Sequence, residues 1–350
     1  MVFSITKQKQ KKVYILTAVL CLCTVIGGVL FYSFFSGYPA SSSSIAAMGT
    51  MISVKLFRSS DSAHFTALYQ IFDQIEQASS LTLPDSALSL LNTTGSTQNT
   101  ILLSQAAVCR EVYEASGGAF DCTVYPVSAL WGIGTEQARI PGADEISAAL
   151  SCVNGAEIKT DGGTLTIEKG QKADFGAVGK GYACDAALAY LKKTDIPGAV
   201  ISVGGSILLY GKSAPSGAGF TVAVRDPFGT QADFAGMLSL QEGFISTSGD
   251  YERFFEQDGV RYHHILDPKT GYPAQSGLTS VTVVTKDSGA LSDALSTACF
   301  VLGLSEGVRL LKQFDAQGIF ITREGTVCVT DGLREAFTLT AAHLKMGELP

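Results

Sequence analysis

Residues 246–273 read S-T-S-G-D-Y-E-R-F-F-E-Q-D-G-V-R-Y-H-H-I-L-D-P-K-T-G-Y-P. Phe254 and Phe255 run into Asp258-Gly259, and Val260 to Leu266 resumes as a β-prone run. Asp-Gly accepts the positive φ angles of a tight turn, so the pattern predicts a hairpin. Polar clusters stand at both of its ends. Thr247-Ser248-Gly249-Asp250 enters it; His263, His264 and Asp267 leave it, followed by Pro268 and a turn at Lys269-Thr270-Gly271. A hydrophobic core has no use for so many polar and turn residues, so the stretch is a candidate site. Neighbouring residues on a strand point to opposite faces, so at most one of His263 and His264 faces that site.

Outward from this stretch, Leu278 to Thr285 reads as a strand and Ser288 to Leu302 as a helix. Asp293 and Thr297 are four apart on that helix, which puts a carboxylate and a hydroxyl on one face. Both offer oxygen to a hard cation, although such a pair in a helix is common. Upstream, Asp174 to Ala183 is glycine-rich and opens a helix over 178–192. Its spacing, Gly176-x-x-Gly179-Lys180-Gly181, is not that of a P-loop. It is either a tight strand-to-helix joint or a place where backbone N–H groups approach an anion. Val203-Gly204-Gly205-Ser206 marks a turn between buried strands. Nearer the N-terminus, 50–58 reads as a strand and Ser62 to Ser79 as an amphipathic helix. A short helix follows, capped by Asp85 or Ser86, then a polar loop over 92–99 and a second helix over 104–115. Trp131-Gly132-Ile133-Gly134 is either a packed corner or part of a site lining. Helices between mostly hairpin-linked strands argue an α+β fold.

The chain has 350 residues, 46% of them hydrophobic and 16% charged, which suits a globular protein. Val13 to Phe35 carries no charge and is long enough to cross a bilayer core of about 30 Å. Lys7, Lys9, Lys11 and Lys12 precede it, so residues 1–12 are expected in the cytoplasm, 13–35 in the membrane as an uncleaved anchor, and the bulk outside. Ser36 to Ser44 is expected to be a flexible linker and 45–350 the exported domain. The formal charge is −7; without the four lysines 21 basic and 32 acidic residues remain, a difference of −11. That balance argues against a nucleic-acid surface. Cys109, Cys122, Cys152, Cys184, Cys299 and Cys328 show no C-x-x-C and no zinc spacing. Disulfides and buried free thiols both remain open.

Taken together, several blocks resemble the ApbE family, the FAD:protein FMN transferases. They are Met48-Gly49-Thr50, Ala119-Phe120-Asp121, Asp174 to Ala183 with Val203 to Ser206, S-T-S-G-D-Y, H-I-L-D-P-K-T-G-Y-P, and Asp293-Ala294-Leu295-Ser296-Thr297, in family order over about 45–340. The resemblance implies an ApbE-like, T-fold-related α+β fold of mixed sheets packed with helices, here behind the single N-terminal transmembrane helix. It implies FAD as substrate, held by Met48, Ala119, Phe120, Asp121, Asp174, Lys180, Thr247, Ser248, Gly249, His264 and Ile265. It implies Mg²⁺ on Asp293, Thr297 and the carbonyl of Ala177. His264 matches the motif histidine and is the expected base, with Asp267 or Asp250 to orient it. The implied partners are flavin-acceptor proteins of membrane electron-transfer systems. The sequence departs from the pattern at Thr82, where the family often carries an aromatic ring, and at Cys122, often proline. The alternatives are an FAD pyrophosphatase and a non-catalytic FAD-binding carrier.

Overall fold

The computed structural model describes residues 37–350. The proposed anchor over 13–35 lies outside them; among the described residues no helix is long and apolar enough to cross a membrane. The centre is a nine-stranded sheet whose spatial order follows the chain. Its strands are β1 (Ala40–Ala47), β2 (Thr50–Phe57), β3 (Gly198–Val203), β4 (Ser206–Gly211), β5 (Gly243–Gly249), β6 (Leu278–Thr285), β7 (Gln317–Thr322), β8 (Thr326–Val329) and β9 (Lys345–Gly347). All neighbours are antiparallel except β8 and β9. The expected linker over 36–44 is corrected here. Ser41 to Ser44 lie in β1, paired with Val54 to Leu56 and Ser53 of β2, so the folded unit begins before residue 45. Serines serve there because β1 is an edge strand with alternately exposed positions.

The helices are α1 (Ser62–Ser79), α2 (Ala87–Thr94), α3 (Thr100–Ala115), α4 (Tyr125–Trp131), α5 (Ala143–Leu150), α6 (Gly176–Leu191), α7 (Gly289–Leu302) and α8 (Leu304–Gln313). The polar loop expected over 92–99 is instead the end of α2, closed by Gly95 at φ 85°, and a short strand. Asn99 then caps α3, accepting from Ile101 and Leu102 N–H, so that helix starts at Thr100.

Period-2 alternation sorts the sheet's residues into two layers. Ile52, Val54, Leu56, Ile201, Val203 and Phe244 pack under α1 and α6. Val281, Val283 and Phe320 pack under α3, α7 and α8. Ile245, Val284, Ile319 and Ile321 face the other way, onto a three-stranded sheet made by Phe220–Arg225, Phe234–Leu240 and Phe337–Leu339. With both faces covered, every residue of β6 is buried. Burying one ring such as Phe244 or Phe320 contributes about 2–3 kcal/mol. All six cysteines of the described region are free thiols.

Candidate functional site

The site gathers at one end of the sheet's strands, where two glycine turns meet the end of β5. Met48 and Gly49, at φ 52° and 67°, form the two-residue loop between β1 and β2. Gly204 and Gly205 turn β3 into β4, and the Gly205 carbonyl accepts from the Thr247 N–H at 3.0 Å. A side chain on Gly205 would meet the Thr247 carbonyl at 3.0 Å, so glycine lets the end of β5 close on this turn.

Along β5, even-numbered residues face α7. The Ser246 hydroxyl lies 2.7 Å from that of Ser292, and the Ser248 hydroxyl lies 2.8 Å from Ser296 and 3.1 Å from Thr297. Thr247 points to the opposite layer and bonds the Thr282 hydroxyl at 2.8 Å, so of the expected pair only Ser248 presents its side chain to the α7 face. Gly249 is required by the Tyr251 ring, which would stand 2.4 Å from an added Cβ.

Asp293 is buried on α7. Its Oδ2 accepts from the Gly181 N–H at 3.1 Å and lies 3.7 Å from Lys180 Nζ. In a regular helix the Gly181 N–H would be directed at the Ala177 carbonyl. Lys180 also donates to the Gly176 carbonyl at 2.9 Å, which folds it back over the start of α6. Asp174 stands just before that helix, its Oδ1 accepting from the Gly176 N–H at 2.7 Å. Loss of water raises the Asp174 pKa, against the Gly176 bond and the charges of Lys180 and Arg253, which lower it.

His263 and His264 divide as alternation predicts. His263 is buried, edge-on to Phe300, with Nε2 3.2 Å from the Ala274 carbonyl. His264 keeps contact with water, yet protein surrounds it closely enough to lower its pKa to about 4; the charges of Arg253 and Lys180 push the same way. His264 Nδ1 lies 3.2 Å from the Arg253 carbonyl. A carbonyl only accepts, so Nδ1 carries the proton and Nε2 keeps a free lone pair. Neither expected carboxylate orients it, which corrects the sequence reading. Asp267 turns to the Lys269 N–H at 2.9 Å, and Asp250 to the Thr279 hydroxyl at 2.7 Å.

Other expected residues contribute differently. Phe120 and Ile265 are core side chains. Asp121 is saturated internally: Oδ1 accepts from the Thr123 N–H (2.7 Å) and hydroxyl (2.6 Å), Oδ2 from the Gly155 N–H (2.8 Å). What Ala119-Phe120-Asp121 offers a ligand is therefore backbone. The Cys122 carbonyl accepts from the Asp174 N–H at 2.7 Å, so this stretch lies beside Asp174. Trp131 is fully buried and donates Nε1–H to the Gly271 carbonyl at 2.7 Å, the packed-corner reading. Thr82 is exposed and bonded locally to Ser80.

One group was missed by sequence reasoning. Arg253 leaves β5 for the hairpin, and its side chain passes between two glycines. Added Cβ atoms would lie 3.9 Å from its Nη2 at Gly49 and 3.4 Å from its Cδ at Gly134. Its guanidinium is thus near the Met48-Gly49 turn while its carbonyl holds His264. No periodicity announces this; it depends on how the hairpin base folds back.

The donors at Asp293, Thr297 and Ala177 are all oxygen, with a single carboxylate. Among the described residues there is no group of three or more His, Cys, Asp or Glu that could hold a metal. Zinc or iron would want such a group. Mg²⁺ fits the smaller set, because it takes one or two carboxylates and completes its shell with water and phosphate.

Two cations, an uncharged imidazole and a hard-oxygen corner beside a glycine-rich helix start define a protein of α+β fold equipped for a phosphorylated anion. The model of the ApbE family matches residues 48–320. The chain is 33% identical over 310 residues to the FAD:protein FMN transferase of Treponema pallidum (strain Nichols), covering 82% of this chain and 85% of that one. It is 31% identical over 305 residues to the FAD:protein FMN transferase of Klebsiella pneumoniae (strain 342), covering 84% and 93%. The crystal structure of Pseudomonas stutzeri flavinyl transferase ApbE, apo form, superposes with a TM-score of 0.76 at 28% identity, over 88% of this chain and 99% of that chain. That of the ApbE protein of Thermotoga maritima gives 0.78 at 28% identity, over 85% and 99%. The chain belongs to the ApbE family.

Proposed function

We propose that the protein is an FAD:protein FMN transferase. The hydroxyl of a Ser or Thr on an acceptor protein attacks the phosphorus on the riboflavin side of FAD. The bridging P–O bond breaks, AMP leaves, and FMN remains on the acceptor through a phosphoester. The observation that carries this reading is the convergence of Asp293, Lys180 and Thr297 with His264 at one sheet end in a chain of this family.

Mg²⁺ on Asp293, Thr297 and the Ala177 carbonyl would stabilise charge on the diphosphate. The bond from Gly181 N–H to Asp293 supports that ligand set, because it ties Asp293 to the turn of α6 that carries Ala177. Lys180 and Arg253 offset repulsion between an acidic domain and an anionic substrate. His264 Nε2 accepts the acceptor's proton. Its low pKa keeps it uncharged at neutral pH, and a bound diphosphate would raise its basicity by opposing the two cations. The rate is expected to fall only below about pH 5, with no break near the ordinary histidine value of about 6.5. His264→Gln is expected to lower kcat by about 10²–10⁴-fold. A pH–rate profile with its acid limb at about 6.5 would overturn the lowered pKa, and full activity in His264→Gln would remove the base. Arg253→Gln is expected to raise KM for FAD about 10–100-fold with little change in melting temperature, since the guanidinium is exposed and one charged hydrogen bond contributes about 1.5–3 kcal/mol. Titration of bound FAD measures it.

The uncharged stretch over 13–35 behind four lysines supports a membrane anchor with the domain outside the cytoplasm. The acceptors we propose are flavin-carrying subunits of membrane electron-transfer systems. One assay separates the readings: protein, FAD, Mg²⁺ and a candidate acceptor. Covalent FMN by mass supports the transferase; free FMN with AMP means a pyrophosphatase; intact bound FAD means a carrier.

A further inference from the structure

The N-terminus of α7 is held twice. Its own N-cap, Ser288, accepts from the Leu291 N–H at 3.1 Å. A second group reaches it from α6. Asp185 Oδ1 accepts from the Gly289 N–H at 2.5 Å, and Oδ2 from the Ala290 N–H at 3.0 Å and the Ser288 hydroxyl at 3.2 Å. Helix capping ordinarily needs one small polar side chain at the residue before the helix, and Ser288 supplies it. Asp185 is partly buried, and loss of water raises its pKa. Keeping a charge there calls for a reason beyond the cap.

Two contacts in the same strip supply that reason. The backbones of Gly181 and Gly289 touch: a Cβ on Gly181 would lie 2.0 Å from the Gly289 carbonyl, and one on Gly289 2.4 Å from the Gly181 carbonyl. The Gly181 N–H donates to Asp293. Residues 181 and 185 are one turn apart on α6, and 289 and 293 one turn apart on α7. Contacts 181/289, 185/289 and 181/293 therefore fix both the rotation and the sliding of α7 against α6. Asp293 and Thr297 ride on α7, while Ala177 and Lys180 ride on α6.

We propose that Asp185 is a positioning residue for the transfer reaction: by tying the first turn of α7 to α6 it sets the register at which Asp293 and Thr297 meet the Ala177 carbonyl and Lys180. This rests on the reading of Asp293 and Thr297 as cation ligands. A merely structural cap would change stability alone, whereas a register device changes cation affinity.

The test titrates Mn²⁺, a paramagnetic stand-in for Mg²⁺, into the full flavin-free chain by electron paramagnetic resonance, with melting temperatures recorded alongside. Asp185→Asn keeps the side chain's shape but turns an amide NH₂ toward N–H donors. It is expected to weaken Mn²⁺ about 10–100-fold, the usual cost of disturbing groups that orient metal ligands. Excess Mg²⁺ should then restore its turnover. Ser288→Ala is expected to lower the melting temperature and leave Mn²⁺ affinity unchanged. An Asp185→Asn protein that melts lower but binds Mn²⁺ like the wild type overturns the proposal. If that variant does not fold, Asp185→Glu, which keeps the charge on a longer arm, is expected to show the same weakening, and wild-type affinity there overturns it equally. Asp293→Ala separates the two layers of inference. Mn²⁺ binding that survives in Asp293→Ala sinks the cation reading and the positioning role with it; binding lost in Asp293→Ala but intact in Asp185→Asn sinks the positioning role alone.

Discussion

Asp293→Asn is expected to lower the rate of FMN transfer about 10²–10³-fold at limiting Mg²⁺, which corresponds to about 3–4 kcal/mol of lost transition-state stabilisation. The amide is chosen because it still offers an oxygen to the Gly181 N–H, so the α6–α7 contact survives and the loss is electrostatic. Two consequences separate this from general damage. The Mg²⁺ concentration for half-maximal rate should rise, because a neutral oxygen is a poorer ligand for a hard cation. Melting temperature should change little or increase, because Asp293 is a buried charge whose nearest cation, Lys180, has a second acceptor at Gly176. Initial rates of AMP release across a Mg²⁺ series measure the first, and thermal unfolding the second. An unchanged rate at limiting Mg²⁺ would mean that the cation binds elsewhere.

What was legible in the sequence followed short-range geometry. Asp258-Gly259 fixed the hairpin because a two-residue turn has few solutions, and the opposed faces of His263 and His264 followed from strand alternation. Asp293 and Thr297 fell on one face because a helix repeats every 3.6 residues. The same alternation separates Thr247 from Ser248, a distinction that the motif as a block conceals. Failures came where the deciding partner is remote in sequence. Ser41 to Ser44 suggest a linker until β2 is placed beside them. Asp185 carries no signal of its own in the sequence, because its partner Gly289 lies more than a hundred residues later. Asp121 looks like a free acid until Gly155 supplies its third hydrogen bond. Arg253 belongs to the site only because the hairpin folds back so that its carbonyl meets His264.

Gly181→Ala is expected to destabilise the fold by about 3 kcal/mol or more, the upper range for forcing extra atoms into a packed interface. The added Cβ would stand 2.0 Å from the Gly289 carbonyl oxygen, 2.4 Å from its carbon and 2.8 Å from the Ala290 nitrogen. All three are backbone atoms, so no side chain can swing aside; α6 and α7 must move apart. That movement breaks the Gly181–Asp293 bond and stretches the Asp185 ties to Gly289 and Ala290. Stability and cation affinity should therefore fall together. Gly179, two residues earlier on the same helix, is the internal comparison. A Cβ there would have one neighbour within 4 Å, the Gln105 side-chain nitrogen at 3.9 Å. Replacing a helical glycine by alanine where space allows gains about 0.4–1 kcal/mol, through the lower entropy of the unfolded chain. Gly179→Ala should thus match or exceed the wild-type melting temperature, while Gly181→Ala melts well below it. Denaturant unfolding of both variants decides the matter. Equal behaviour would mean that α6 and α7 are not in backbone contact, and the register that sets Asp293 against Gly181 and Lys180 would lose its basis.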